Sequence, residues 1–167
     1  MEDKEVHITL LSSELLYDIG SMCYVEGDLE EHMTGKQLHQ IMDSVVGENL
    51  NRITRALHLC QTKIVELLYP FCKSESEPVE LRDNELVEEY SYDFTLKVAP
   101  DFAESSVNRL SALLHDYMVS YVVADWLSIT KPGAEEKWLL KCANSEQELK
   151  STINRRMKRV RRRMNPW

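Results

Sequence analysis

Tyr90, Tyr92, Phe94, Leu96 and Val98 alternate without a break with Ser91, Asp93, Thr95 and Lys97. This two-residue period is that of a strand with one buried face. The remaining long periodic segments read as helices, so the chain has to house one strand within a helical body. A lone strand leaves its backbone groups unpaired and its apolar face wet. Two partners are open. Val79 to Leu81 reach it through a loop, making a hairpin excursion over about 79–98, or another copy of the protein completes it.

Around that strand, apolar residues return at steps of three and four. Leu15, Leu16, Ile19, Met22 and Cys23 predict a helix from near Ser12 to Gly27, followed by an acidic, solvated loop over Glu26 to Glu31. Thr34 and Gln37 have the spacing of a capping box at the start of a second helix carrying Leu38, Ile41, Met42 and Val45. A third helix runs from Glu48 through Leu57, Cys60 and Ile64 to Leu68, where Pro70 closes it. Residues 73–85 are polar, with the turn-prone pair Asp83-Asn84. Ala103 to Ile129, with Leu110, Leu114, Tyr117, Val122 and Trp126, is the central core helix. After the turn at Lys131-Pro132-Gly133, Trp138, Cys142, Leu149 and Ile153 begin a last helix, with an interruption conceivable at Asn144-Ser145. The expected fold is mainly α: a bundle of about five helices, one short strand or hairpin excursion, and a long basic helix at the C-terminal end.

Charge divides this helical chain into two opposed parts. Residues 150–167 hold eight Lys and Arg and no acid, while residues 1–149 hold 12 against 28 Asp and Glu, a balance of −16. We therefore distinguish an acidic helical body, 1–149, from a basic arm, 150–167. The body repels nucleic acid and lipid phosphate; the arm attracts acidic grooves and phosphate backbones. Leu149, Ile153, Met157, Val160 and Met164 continue at helical spacing, giving the arm a narrow apolar seam. Arg155, Arg156, Lys158, Arg159, Arg161, Arg162 and Arg163 flank that seam, and Trp167 follows Pro166 as an aromatic anchor. Basic residues on nearly every face do not suit base-edge reading, for which a few Arg, Asn or Gln on one face suffice.

The chain carries little that reads as catalytic chemistry. It has no glycine-rich phosphate loop, no HExxH, no GxSxG and no Cys and His set with zinc spacing. His115 and Asp116 are neighbours, but adjacent helical residues point about 100° apart and cannot work as a base with its orienting carboxylate. Asp125 beside Trp126 reads as a charge at the core's edge bonded to another helix. Cys23, Cys60, Cys72 and Cys142 form no CxxC pair and read as reduced, buried thiols. No enzyme, cofactor or metal centre is expected, no apolar run reaches membrane-spanning length, and the charged first residues do not form a signal peptide.

The layout resembles the head-tail connector proteins of tailed bacteriophages, also called adaptors or head-completion proteins. What carries the likeness is the stretch Leu113 to Trp138 (LLHDYMVSYVVADWLSITKPGAEEKW) with the final RRMKRVRRRMNPW, most similar to such proteins of Bacteroidetes phages and prophages. Residues 1–35 have no counterpart in the resemblance. It implies a structural subunit without an active site, assembled as a ring of about a dozen copies under the portal protein. It places the protein in the virion neck, after synthesis in the host cytoplasm, with DNA passing through the ring without sequence recognition. In that family the C-terminal arm locks to the portal. The match assigns this docking to Arg155, Arg156, Lys158, Arg159, Arg161, Arg162, Arg163 and Trp167, and assigns Tyr90, Tyr92, Phe94, Leu96 and Val98 to the lumen or to contact with a neighbouring subunit or neck component. The competing reading is a nucleic-acid-binding accessory protein whose arm lies on phosphates.

Overall fold

The computed structural model describes residues 4–28, 35–72 and 89–155. Its elements in chain order are β1 (Lys4–Leu11), α1 (Ser12–Asp28), α2 (Gly35–Met42), α3 (Glu48–Leu67), α4 (Tyr69–Cys72), β2 (Ser91–Val98), α5 (Glu104–Thr130) and α6 (Glu135–Ile153). The molecule is a helical bundle with one small antiparallel sheet.

β2 forms where the alternation places it, and among the described residues it has a partner that the sequence reading did not offer. That partner is β1, in the register Lys4↔Val98 through Leu11↔Ser91. Val6, Ile8 and Leu10 thereby face the same way as Leu96, Phe94 and Tyr92, and all six are buried. The opposite face is polar: Thr9 Oγ1 donates to Asp93 Oδ1 at 2.6 Å, and His7 Nδ1 lies 3.2 Å from Thr95 Oγ1. A one-residue slip would turn every apolar side chain to water, so burial fixes the register. Residues 79–81 and the Asp83-Asn84 tip lie outside the described residues.

α5 has no Gly or Pro across its length and is buried on several faces, as expected of a helix with neighbours all round. It ends at Lys131-Pro132-Gly133, where Gly133 takes φ 99° and lets the chain reverse into α6. α6 then packs back along α5 over most of its length. α3 follows Gly47, at φ 59°, and packs against α5 from another side. Where α2 crosses α1, a side chain at Gly27 would sit 2.8 Å from Met42 Cγ, so a hydrogen there is what lets the two helices close. Gly27→Ala is expected to lower the melting temperature, because Met42 must move or the helices must part.

Four details differ from the sequence expectation. α2 ends at Met42, and Asp43 to Gly47 form turns that leave Val45 half-buried; Thr34 and the proposed capping contact with Gln37 lie outside the described side chains. Glu26 to Asp28 belong to α1, and Glu26 is buried. α6 runs through Asn144-Ser145 unbroken. It does not run on through Arg155: the helix ends at Ile153, Asn154 Nδ2 folds back onto Lys150 O at 2.7 Å, and Arg155 N donates to Thr152 O at 3.0 Å. Local side-chain-to-backbone bonding by Asn stops the helix where periodicity alone would carry it on.

Candidate functional site

The root of the basic arm is Asn154-Arg155, and it leaves the body beside a small polar hollow lined by Pro70, Phe71, Lys97, Val98 and Ala99. Among the described residues Ile153 is the last in the core, and Arg155 is exposed. Of the docking residues expected from sequence, only Arg155 is described; Arg156, Lys158, Arg159, Arg161, Arg162, Arg163 and Trp167 lie outside the described residues, as does the rest of the apolar seam.

The strand residues divide differently from expectation. Tyr92, Phe94, Leu96 and Val98 all point into the chain's own core, so their side chains are not offered to a lumen or to a neighbour. Tyr90 alone is exposed, at 82%. The alternation that marks a strand also marks which face is occupied, but not by what. Here the helices and Val6, Ile8 and Leu10 occupy it.

The charged side chains of the helices pair between them, His115, Asp116 and Asp125 included. His115 Nε2 lies 2.8 Å from Asp18 Oδ2 of α1, whereas Asp116 accepts from Lys141 Nζ at 2.6 Å and from Ser145 Oγ at 3.3 Å on α6. The two neighbours thus serve different helices, as their angular separation requires. Asp125 meets Arg52 of α3 at 2.9 Å, and Arg109 meets Glu148 at 2.7 Å. These pairs are largely exposed, and each contributes about 0–1 kcal/mol; they fix which helix lies beside which more than they stabilise. Glu26 is the exception: its Oε1 accepts from Trp138 Nε1 at 3.2 Å and from Lys137 Nζ at 2.5 Å, holding the end of α1 to the start of α6. Among the described residues no three His, Cys, Asp or Glu side chains converge as a metal site, and no helix is long and apolar enough to cross a membrane.

The cysteines are free, with Cys23, Cys60 and Cys142 buried and Cys72 half-buried. Burial pushes the Cys23 and Cys142 thiols from 9.0 up to about 11, and raises Cys60 further. Since the thiolate is the nucleophile, the three should resist alkylation at neutral pH in the native protein and react fully in denaturant. The raised values also set a sign. Protons are held more tightly in the folded chain, so the stability these thiols contribute is whole below pH 9 and is lost as pH rises from there through about 11. Denaturant midpoints measured across that interval should fall steadily.

One surface was not foreseen from sequence. The outer side of α1 forms a groove of about 560 Å³ lined by Leu16, Tyr17, Gly20, Tyr24, Val25 and, from the turn after α2, Val45. Tyr17 is 74% exposed, and Tyr24 and Val25 are about half exposed. Its sequence signal is faint: two tyrosines seven residues apart with Gly20 and Ser21 between them, on the side of the helix away from the Leu15, Ile19 and Cys23 stripe. Helical spacing identifies a buried stripe readily. It says little about a second apolar side that the fold leaves open.

Comparison of the chain with protein-family models, with curated proteins and with solved structures finds no match to any of them.

Proposed function

We propose that the protein is a structural subunit of a tailed-phage neck: a connector that assembles as a ring under the portal, lengthens the DNA channel, and docks by its basic C-terminal arm. The observation that carries this reading is the division of the chain at Ile153. Among the described residues the core ends with Ile153, and every charged residue after it is basic, on a chain whose first 149 residues carry −16. A segment that lies beyond the described core and is opposite in charge to its own body suits contact with another molecule. The acidic body suits a wall along which DNA slides, because like charge keeps phosphate from adhering.

Deleting Arg155 to Trp167 is the direct test. The truncated protein should melt with the full-length chain, since no described core residue is removed, but it should not enter particles assembled with the portal. Normal incorporation would overturn the reading. Two milder changes identify the partner. If the arm fills a protein groove, both Trp167→Ala and the pair Arg159→Glu with Arg162→Glu weaken docking. If it lies on nucleic acid, charge reversal dominates, and the full-length protein binds duplex DNA with a log–log salt slope of about −4 to −5, from about five neutralised phosphates. That result would favour the accessory nucleic-acid-binding reading instead.

A further inference from the structure

We infer that the α1 groove receives the C-terminal basic segment, residues 156–167, of a second copy of this chain. This deepens the ring reading by naming the surface that joins successive subunits, and it rests on that reading only for the closure of the assembly.

Charge selects the class of occupant. α1 carries no Lys, Arg or His, and its exposed Glu14 and Asp28, with exposed Asp43 two residues before Val45, flank the groove as acids unpaired among the described residues, whereas Asp18 and Glu26 are turned to His115 and α6. Two α1 grooves placed face to face would bring these carboxylates together, which disfavours a symmetric pairing of like surfaces. An amphipathic helix with an apolar seam and basic flanks fits instead. Met157, Val160 and Met164 supply such a seam, and methionine adapts to irregular apolar surfaces. The seam itself needs an explanation, since a segment that docked by charge alone would have no use for it. With the seam seated in a groove, the outer guanidinium groups remain turned away from it, available to the portal.

Geometry selects which copy supplies the segment. Arg155 lies by Val98, whereas α1 begins just after Leu11, which pairs with Ser91 at the far end of the sheet. Seven strand steps separate those ends, about 24 Å. At its other end, α1 is bonded through Glu26 to Trp138, fifteen residues before Ile153 along α6 and so about 22 Å from it. Residues 156–167 as a helix are about 18 Å long. A helix of that length is shorter than either separation, so a segment that keeps its seam in register as a helix does not reach across to lie along the groove of its own body. A neighbour's groove carries no such restriction. Because groove and arm are different surfaces at separated places on one chain, the contact is head-to-tail, the type that closes into rings when its rotation permits.

The test uses full-length protein, with mass measured by light scattering and sedimentation over a range of concentrations. Wild type should self-associate. A groove variant, Tyr17→Asp with Tyr24→Asp, and a seam variant, Met157→Asp with Val160→Asp, should each be monomeric, with association weakened about thirtyfold or more and melting unchanged. Mixing the two should restore a single contact, because one retains its arm and the other its groove, and the mixture should stop at one-to-one dimers. Wild type that stays monomeric, a seam variant that associates normally, or a mixture without dimers would each overturn the inference. Particle incorporation is read separately. Loss of association with no portal involvement would leave the head-to-tail contact standing while removing the connector.

Discussion

Trp126→Ala is expected to destabilise the protein by about 3–5 kcal/mol, because it opens a large cavity where α5 meets α2. The indole is 5% exposed and its Nε1 donates to the backbone carbonyl of Ile41 at 2.9 Å. Truncation therefore removes packing and also strands a buried carbonyl, a second penalty of about 1–3 kcal/mol that water relieves only if it enters the cavity. Phenylalanine separates the two contributions: Trp126→Phe retains most of the apolar volume but not the donor, and should fall between wild type and alanine. Denaturant titration monitored by circular dichroism measures both. An unchanged midpoint for Trp126→Ala would remove this residue from the core.

Removal of the first eleven residues should be still more damaging. β1 covers one edge of β2 and supplies Val6, Ile8 and Leu10 to the face that Tyr92, Phe94 and Leu96 share. Without it, β2 presents a row of unpaired backbone groups next to newly exposed apolar side chains, the arrangement that promotes aggregation. The shortened chain should either aggregate or lose its cooperative melt. If another copy completed β2, the same truncation would leave the monomer's unfolding unaffected, so the experiment separates internal from intersubunit pairing. Hydrogen exchange gives an independent reading: amides of 92–97 that are bonded to β1 should be protected in dilute protein, before any assembly.

How much was legible depended on whether a signal was local. The lengths and faces of α1, α3 and α5 follow from apolar spacing over successive turns, and the stop at Lys131-Pro132-Gly133 from residues that cannot continue a helix, so each could be read from its own segment. β2 was equally plain from its alternation. β1 carries the same alternation in Val6, Ile8 and Leu10, but over fewer apolar positions, among charged residues, and directly against a helix start at Ser12. The end of α6 departs from the periodicity for the opposite reason: the apolar period runs past Ile153, while the Asn154 side chain bonds to Lys150 O where the helix ends.

The sequence by itself determined that this chain is mainly helical, that one strand interrupts it, that α5 lies at its centre, and that an acidic body ends in a basic arm. Each of those follows from periodicity, composition or formal charge, which need no knowledge of distant residues. Only the tertiary structure decided that β2 pairs with β1 across 79 intervening residues. Closing so long a connection costs little more entropy than closing a short one, so sequence distance gives no guide to the partner. The fold likewise decided that Glu26 is buried against Trp138 and that Tyr17 and Tyr24 border an open groove. Burial is settled by what packs on a surface, and that information belongs to other segments of the chain.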